Sequence, residues 1–536
     1  MTHFSSSKSA ASRPHLAAGS GKLTDPFHHP EHLEEQPRFK RALLLLFTNL
    51  LIPGTAQVVA GDRATGRRFL RITLLCWALA IAVVTVAVVN RSLLFTLAAN
   101  PIIQWTVIIA LLALALWWLV VQLNTIKLLQ LRLLAPNHQK LVGALSVLVL
   151  LVTVGVPLYG AYVVNTGRSA LGAIFSTKPA IDPVDGRYNF LLLGADAGDG
   201  RQGLRPDSIS VVSVNADNGK TVIFSIPRDF QNAPFPADSP LHQIYPDGFS
   251  CGDSCIINSL YTDVMDNHRD IYPDSVQDPG AQAMVDATSG ILGIQVQGYA
   301  MIDMEGFAEL IDALGGVKVE TEGWTTYRGT LPDGSWGNAW WGPGKHHFKG
   351  KDALAFARSR KYSTDYNRVR RQQCIQQAMI QQFNPQNVLT NFTNILTAGE
   401  RVVETDLPQA QLGSFLSLAE KVRTQPTQKL TTGAPDFGEA GDKFSTYPDF
   451  AQIHSRVQEM FDKEQQEQDT DAASAQVKTA RPVFGFSRSA GLFGFELTKP
   501  DGSPIDEAYL VEMERYGQYG ILEQASEDNH KCKPLR

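Results

Sequence analysis

Three long apolar segments near the N-terminus constrain this chain more than any other feature of its sequence. Each supplies the roughly 20 apolar residues that a helix needs to cross a lipid bilayer. Backbone polar groups must be satisfied within the segment inside a bilayer, so we expect all three segments to be helical spans. They cover residues 69–89, 102–121 and 141–164 of the 536-residue chain.

The predicted membrane region extends over residues 38–164 and follows a tail, residues 1–37, that is rich in Ser, His and Pro. We predict a disordered cytoplasmic tail from that composition. A fourth apolar stretch, residues 42–60, contains Pro53 and Gly54 and has basic residues on both sides. Those features favour a re-entrant or interfacial segment over a fourth span.

Basic residues around the spans predict the orientation of the chain in a membrane. The loop between the first and second spans carries only Arg91, whereas basic residues are frequent before the first span and between the second and third. By the positive-inside rule, the N-terminus is cytoplasmic and the chain after about Asn165 is extracytoplasmic. The residues that set this bias are Arg63, Arg67, Arg68, Arg71, Lys127, Arg132 and Lys140.

Four of the five cysteines fall on the predicted outer side, and Cys76 lies inside the first span. An oxidising compartment favours at least one disulfide there. Cys251–Cys255 is the simplest pairing, and Cys255–Cys374 is the alternative.

Residues 185–462 show short apolar runs alternating with helical periods. The runs YNFLLLGAD, SISVVSVNA and TVIFSIPRD predict strands buried on both faces. Later segments predict helices between further strands, which indicates an α/β domain with helices on both sides of a sheet. Residues 463–482 predict a polar linker, and residues 483–536 a tail with a small β-rich element.

Charged residues stand where these strands end or begin. Asp196 closes the first strand, Arg228 and Asp229 follow the third, and Arg205 and Asp207 precede the second. In open α/β sheets the ligand crevice lies outside the carboxyl ends of the strands. The alternative is that these are turn or capping residues, since Asp is common in turns.

A helix predicted over about residues 366–383 carries arginines in its first turns. We expect Arg368, Arg371 and Gln372 to share one face. Cations are unfavourable at a helix N-terminus, so their presence indicates an anion site of backbone amides and guanidinium groups. The alternative is surface pairing with Asp365 and nearby acids.

The motifs and the net charge of the sequence also argue against several classes of protein. The outer domain has no Ser-His-Asp array, P-loop or HExxH motif, which argues against covalent or zinc-based hydrolysis. A formal net charge of −5, with no basic stripe joined to a nucleic-acid motif, argues against nucleic-acid binding. Aspartates could instead hold a hard cation such as Mg²⁺ beside arginines that neutralise a pyrophosphate.

Six motifs, in order, make residues 185–462 resemble the LytR-CpsA-Psr proteins of Gram-positive envelopes. The resemblance implies a mixed β-sheet between helices and a phosphotransferase that moves a glycopolymer from a polyprenyl-pyrophosphate carrier to a hydroxyl of peptidoglycan. It implies Mg²⁺ or Mn²⁺ as cofactor. The motifs are LLLGAD (191–196), RPDS (205–208), SIPRD (225–229), DALGGVKVE (312–320), ALAFARSR (353–360) and DYNRVRRQ (365–372).

The resemblance also implies roles for individual residues. Asp196 and Asp207 match the metal-side aspartates, and Asp229 or Asp207 is the candidate base. Catalytic roles fall to Arg228, Asp229, Arg368 and Arg371. The residues matched to the pyrophosphate site are Arg205, Arg228, Arg358, Arg360, Arg368, Arg371 and Gln372.

Pro206 departs from the family pattern, which usually has Arg-Ser-Asp at this place. The two close cysteines and the WGNAWWG segment (336–342) resemble members from mycolate-bearing bacteria, which favours arabinogalactan over teichoic acid as the cargo. Two other functions stay open: a polyprenyl-pyrophosphate hydrolase, and a non-catalytic envelope-binding or regulatory protein.

Overall fold

The computed structural model divides into two compact units, one of Met1–Val89 with Trp105–Val164, the other of Asn90–Gln104 with Asn165–Arg536. Most of the predicted tail, the end of the predicted linker and the start of the C-terminal region lie outside the described residues. The described residues are 27–176, 178–196, 205–252, 254–382, 403–439, 442, 444, 446–477 and 497–535.

Long apolar helices dominate the N-terminal part of the chain. Three described helices are long and apolar enough to cross a membrane: Arg63–Val89, Pro101–Leu133 and Pro136–Ile174. They contain the three spans expected from the sequence. In chain order the helices are α1 (Glu35–Leu51), α2 (Thr55–Ala60), α3 (Arg63–Val89), α4 (Arg91–Ala99), α5 (Pro101–Leu129) and α6 (Pro136–Ile174).

The fourth apolar stretch is broken at Pro53-Gly54 into α1 and α2. Gly54 has φ +102°, a left-handed conformation that favours glycine. Its N–H donates to Asn49 Oδ1 at 2.9 Å, and Thr73 Oγ1 donates to the carbonyl of Pro53 at 2.7 Å. These bonds satisfy the interrupted backbone, so the stretch is a bent helical pair. Its re-entrant or interfacial position stays a prediction.

The second unit is built on a six-stranded mixed sheet. The described strands of this unit are β1 (Arg187–Asp196), β2 (Arg205–Asn215), β3 (Thr221–Ile226), β4 (Gly298–Asp303), β5 (Val317–Thr321), β6 (Thr325–Thr330), β7 (Trp336–Trp341), β8 (Gly344–Phe348), β9 (Val403–Thr405), β10 (Thr427–Thr431) and β11 (Cys532–Pro534). The sheet has the order β10-β3-β2-β1-β4-β9. β1 runs parallel to β4 and antiparallel to β2, and β3 is antiparallel to β2 and parallel to β10. The mixed α/β sheet expected from the sequence is confirmed.

Neighbouring residues of the central strands pack into different hydrophobic clusters. Val211 joins the large cluster, whereas Val212 packs with Leu418 and Val422. Because side chains alternate along a strand, this pattern accounts for the near-continuous apolar runs. In the part of the chain that the structure describes, the remaining α-helices are α7 (Ile257–Asn267), α8 (Pro279–Leu292), α9 (Met304–Ala313), α10 (Gly350–Arg358), α11 (Asp365–Gln382), α12 (Leu412–Thr424), α13 (Phe450–Val477), α14 (Glu507–Arg515) and α15 (Tyr519–Ser526).

One expectation for the C-terminal region is corrected. The region expected to be a linker is helical as far as Val477, because α13 continues through it. The described end of the chain is mainly helical, with β11 as a short strand against β5. The apolar residues that suggested a β-rich element, 484–495, lie outside the described residues, so that element stays a prediction.

A buried ion pair attaches α13 to the sheet. Arg187 Nη1 donates to Glu464 Oε1 at 2.9 Å, with side chains only 6% and 3% exposed. Asn215 Nδ2 donates to the same oxygen at 3.1 Å. Glu464 therefore fixes α13 to β1 and β2.

We expect Glu464→Ala to lower the free energy of unfolding of this unit by about 3–5 kcal/mol, because Arg187 would stay buried without its carboxylate. Glu459→Ala is the matched control on the same helix, since its pair with Arg456 is 65% and 50% exposed. Loss of that exposed pair should cost at most about 1 kcal/mol. Denaturant unfolding of the chain in detergent measures the free energy of unfolding of both variants. Equal losses would contradict the role assigned to the buried pair of Glu464 and Arg187.

Candidate functional site

One edge of the sheet gathers the charged residues singled out in the sequence. β1 and β3 both run antiparallel to β2, so both end where β2 begins. This geometry brings the end of β1, the start of β2 and the residues after β3 to the same edge, as expected for a ligand crevice.

A β-bulge turns Asp207 out of the regular ladder. Gly194 pairs with Ser208 and Ala195 with Pro206, which leaves Asp207 as an extra residue in β2. Proline has no N–H to give to a ladder and is tolerated at such an irregularity. The departure at Pro206 is thus accommodated by the bulge.

Asp207 contacts two of the predicted arginines. Its Oδ1 accepts a hydrogen bond from Arg228 Nη1 at 2.6 Å. Its backbone carbonyl accepts one from Arg368 Nη1 at 3.1 Å. The bulge therefore joins the residues after β3 to the first turns of α11.

Asp365 is the first residue of α11, and it pairs with the arginines near the N-terminus of that helix. Arg368 Nε and Nη2 donate to Asp365 Oδ1 and Oδ2, both at 3.0 Å, and Arg360 Nη1 lies 3.5 Å from Oδ1. An acid in the first turn interacts favourably with the helix dipole and offsets the arginine charge. The pairing with Asp365 considered from the sequence is real, and Arg368 also lines a cavity.

Burial and nearby charges move the pKa values of two carboxyl groups at this edge in opposite directions. Burial alone would raise the pKa of Asp365, but hydrogen bonds and charge from Arg368, with the charges of Arg228 and Arg360, lower it below its ordinary value. Asp229 keeps an accessible carboxylate, but partial desolvation in the crevice and the nearby Asp365 raise its pKa.

A cavity of about 390 Å³ opens at this edge and is walled mainly by apolar side chains. The apolar wall comes from β1, β4, α9, α10 and α11, and its larger side chains are Leu192, Ile302, Met304, Phe307, Leu310, Leu354 and Met379. Polar groups form a second set, which comprises Asp207, Ser208, Asp303, Arg358, Arg360, Arg368, Gln372 and Gln376.

The predicted site residues divide by their positions. Asp207, Arg358, Arg360, Arg368 and Gln372 line the cavity. The others do not line it, or their side chains lie outside the described residues. Arg228 contacts Asp207 at the edge of the cavity, and Asp229 is the next residue in the chain. Arg205 is exposed at the start of β2. The side chain of Asp196 is not among those described.

Arg371 faces away from the cavity, which corrects the expectation that it shares a face with Arg368 and Gln372. Arg371 and Gln372 are successive residues, and the side chains of successive residues on a helix point about 100° apart. Arg371 is fully buried and donates to the backbone carbonyls of Phe356 and Ser359. Burial, with the charge of Arg368, lowers its pKa to about 9.

The predicted metal ligands fit a hard cation in their chemistry. Carboxylate oxygens are the ligands that Mg²⁺ and Mn²⁺ prefer. Asp196 and Asp207 lie at adjoining ends of β1 and β2, since Asp196 pairs with Arg205. Within the described part of the chain, no group of three or more His, Cys, Asp or Glu residues gathers at one point.

Two disulfides form in the second unit. Cys251 bonds to Cys255, the simpler of the pairings considered from the sequence. Cys374 bonds to Cys532 rather than to Cys255, which corrects the alternative. Sequence spacing could not reveal this bond, because 158 positions separate its cysteines.

Sequence reasoning missed the apolar wall of the cavity. Phe307 and Leu310 recur at helical spacing, and that pattern by itself indicates only the apolar face of a helix. Asp303 was also missed: it caps α9 by accepting from Gly306 N at 2.8 Å, and it lines the cavity.

Comparisons with known proteins define the class of this protein. The pattern of the LytR_cpsA_psr family matches residues 163–465, more than half of the chain. The chain belongs to the LytR_cpsA_psr family.

Its relatives include transferases from several bacteria. A polyisoprenyl-teichoic acid–peptidoglycan teichoic acid transferase TagU from Bacillus mycoides is 29% identical over 226 residues, 42% of this chain and 62% of that protein. The TagU of Halalkalibacterium halodurans is 27% identical over 50% of this chain and 81% of its own. The crystal structure of Bacillus subtilis TagU is 22% identical, covers 52% of this chain and 96% of that one, and has a TM-score of 0.34.

We expect Asp365→Asn to lower the melting temperature of the chain at about neutral pH. A carboxyl whose pKa is lowered on folding stabilises the fold above its ordinary pKa of 3.8 and loses that contribution as the pH falls through the folded value. The difference in melting temperature between wild type and variant should therefore narrow below about pH 3.8. Melting curves across acid pH measure it, and a constant difference would contradict the ion-pair role.

Proposed function

We propose that this protein is a membrane-anchored phosphotransferase that attaches a glycopolymer, carried on polyprenyl pyrophosphate, to a hydroxyl of peptidoglycan. Family membership supports the class. The cavity supports the substrate, because one continuous space combines an apolar wall with guanidinium groups. A lipid pyrophosphate has the same division, an apolar chain joined to a multiply charged anion.

The arginines are suited to the anion. Arg358 and Arg360 come from the end of α10 and the loop after it, and Arg368 from α11, so the anion would be approached from two elements. Guanidinium groups bind phosphate oxygens through paired hydrogen bonds. Arg368 is held by Asp365 and by the carbonyl of Asp207, which fixes its position before a ligand arrives.

In the proposed reaction, a peptidoglycan hydroxyl oxygen attacks the phosphorus atom that bears the glycan. The bond from that phosphorus to the bridging oxygen breaks, polyprenyl phosphate leaves, and the hydroxyl proton passes to a carboxylate. Arg228, Arg358, Arg360 and Arg368 neutralise the charge that develops on the phosphate oxygens. Catalysis then comes from positioning and charge stabilisation, as in phosphoryl transfer generally.

Asp229 is the better candidate for the base. Its raised pKa brings it closer to the working pH, which suits proton transfer. Oδ1 of Asp207, the rival, already accepts from Arg228 at 2.6 Å. Arg371 has a structural role in this proposal, since its guanidinium is bound to backbone carbonyls.

Mg²⁺ or Mn²⁺ is proposed as the cofactor, held by Asp207 and Asp196. Such a cation supplies positive charge beside the pyrophosphate and polarises its oxygens. Asp207 would then connect the cation with Arg228.

The membrane arrangement is proposed from the spans and from α4. This helix lies between the first two candidate spans and packs on α12, and Gln409 Nε2 donates to the carbonyl of Ala99 at 3.0 Å. Because α4 belongs to the unit that contains the sheet, its packing supports a loop and an α/β domain that lie on the same side of the membrane. The positive-inside rule supports an extracytoplasmic position for both and a cytoplasmic N-terminus. The sheet between helices would then stand beside the outer leaflet, where a polyprenyl carrier is accessible.

The cargo is proposed as a cell-wall glycopolymer of the arabinogalactan or teichoic-acid-like class. The curated relatives are teichoic acid transferases by name, which supports the second. The sequence resemblance to proteins of mycolate-bearing bacteria supports the first. An assay with both donors decides between them.

We expect Arg368→Ala to lower the transfer rate by about 100-fold or more, since removal of one preorganised charge-stabilising donor costs that much. The assay uses the full chain with Mg²⁺, a polyprenyl-pyrophosphate oligosaccharide and peptidoglycan fragments, and follows glycan joined to peptidoglycan by a phosphodiester. Arg370→Ala is the matched control on the same helix, because Arg370 Nη2 donates to Asp436 Oδ1 at 2.7 Å and does not line the cavity.

The products of this assay also test the rival functions. Glycan phosphate released without joining an acceptor would favour the hydrolase. Bound but unchanged lipid, with the chain folded, would favour a non-catalytic envelope-binding protein. Equal loss of transfer in both arginine variants would contradict the assigned site.

We expect Ala300→Leu to weaken binding of a long polyprenyl pyrophosphate by about tenfold while inorganic pyrophosphate binds as before. Ala300 lines the apolar wall on β4, and a larger side chain there would occupy space needed by the prenyl chain. Competition binding with both ligands measures the difference. Unchanged affinity for the lipid would place the prenyl chain elsewhere.

A further inference from the structure

The C-terminal segment, residues 497–535, lies beyond the region that the family pattern matches and contacts the arginine loop of the site. The arginine loop is the connection from α10 to α11, residues 359–364, which carries Arg360 and directly follows Arg358. We propose that the C-terminal segment is a positioning element that holds this loop in the conformation needed for anion binding. The proposal rests on the function proposed above.

Asn529 is the central contact. Its side chain is 1% exposed, and Oδ1 accepts hydrogen bonds from Arg371 Nη1 and from Ser363 Oγ. Arg371 in turn donates to the carbonyls of Phe356 and Ser359, on either side of Arg358. One buried amide thus connects the C-terminal segment to both ends of the loop.

Glu514 provides a second contact, on the other side of Arg360. Its Oε1 accepts from Lys361 Nζ and from Tyr362 OH, the latter at 2.9 Å. A third group, Asn338 Nδ2, donates to the same oxygen and ties it to β7. The residues directly after Arg360 are therefore attached to α14.

Tyr362 explains why the loop needs support. Its φ is +59°, a left-handed conformation that is uncommon for a residue with a bulky side chain and persists only when its surroundings enforce it. The ring stacks on Trp340 at 5.6 Å and on Tyr519 of α15 at 6.1 Å between centroids. Two of the groups that enforce the conformation, Glu514 and Tyr519, belong to the C-terminal segment.

The segment is itself attached firmly to the domain. β11 pairs with β5, and the Cys374–Cys532 disulfide joins β11 to α11, the helix that carries Arg368 and Gln372. Gln382 Nε2, at the described end of α11, donates to the carbonyl of Leu535 at 2.9 Å. The same segment therefore fixes α11 and the arginine loop relative to each other. A misplacement of about 1 Å in such a site can lower the reaction rate by up to roughly 100-fold.

The test compares Asn529→Ala, Asn529→Asp and wild type as full chains in detergent. The probes are geranylgeranyl pyrophosphate and its uncharged alcohol, geranylgeraniol. We expect Asn529→Ala to bind the pyrophosphate about tenfold more weakly and the alcohol unchanged, since only the anion needs the loop. Asn529→Asp keeps an acceptor oxygen for Arg371 and Ser363, so it should bind within about twofold of wild type.

Asn189→Ala is the matched control, because Asn189 is also buried and its Nδ2 donates to the carbonyl of Gln295 at 2.8 Å, at the opposite end of β1 from the site. It should lower the melting temperature without changing affinity for the pyrophosphate. If Asn529→Ala does not fold, Glu514→Ala gives the second measurement, with the same selective loss expected, because it removes the oxygen that accepts from Lys361 and Tyr362.

Three results would overturn the proposal. The first is an Asn529→Ala chain that binds the pyrophosphate as wild type does. The second is an equal loss for pyrophosphate and alcohol, which marks general destabilisation. The third is a wild-type chain that binds pyrophosphate no better than alcohol, and that result alone would overturn the proposed anion site as well.

Discussion

The bidentate pair between Arg368 and Asp365 is the interaction on which the mouth of the cavity depends. Arg368, Arg370 and Arg371 in the first two turns of α11 oppose the helix dipole. Asp365 at the first position offsets part of that charge through its 3.0 Å hydrogen bonds with Arg368. The pair also aligns Arg368 so that its remaining contact reaches the carbonyl of Asp207. The helix, the bulge and the arginine loop meet at this pair, because Arg360 approaches the same carboxylate.

The cavity beside that pair combines apolar side chains with charged ones. The strands and helices supply apolar side chains such as Leu192 and Phe307, while loops and helix ends supply the charges. Arg358 and Arg360 are exposed, and the buried Arg368 is paired with Asp365. The fully buried Arg371 is bound instead to carbonyls and to Asn529. A buried arginine without such partners would be very costly. This difference explains why neighbouring arginines of one motif have different roles.

Much of the fold was readable from the sequence. The apolar runs predicted β1, β2 and β3 and the spans, and the charges after and before those strands predicted the crevice at Asp207 and Arg228. Less of the site was readable. Helical spacing grouped Arg371 with Arg368, but the fixed direction of each side chain separates them. The role of Phe307 and Leu310 was hidden, because an apolar residue facing a cavity has the same pattern as one facing a core.

The sequence by itself determined the elements: hydrophobic periodicity is a local property, so it specified spans, strands and most helices. It also determined which chemical groups were present, through the aspartates and arginines of the motifs. Only the tertiary structure decided which of them meet. The bulge at Asp207, the Cys374–Cys532 bond and the contact of Asn529 with Arg371 each join residues far apart in the chain or depend on register. Such contacts are set by packing of the whole unit, and no local pattern encodes them.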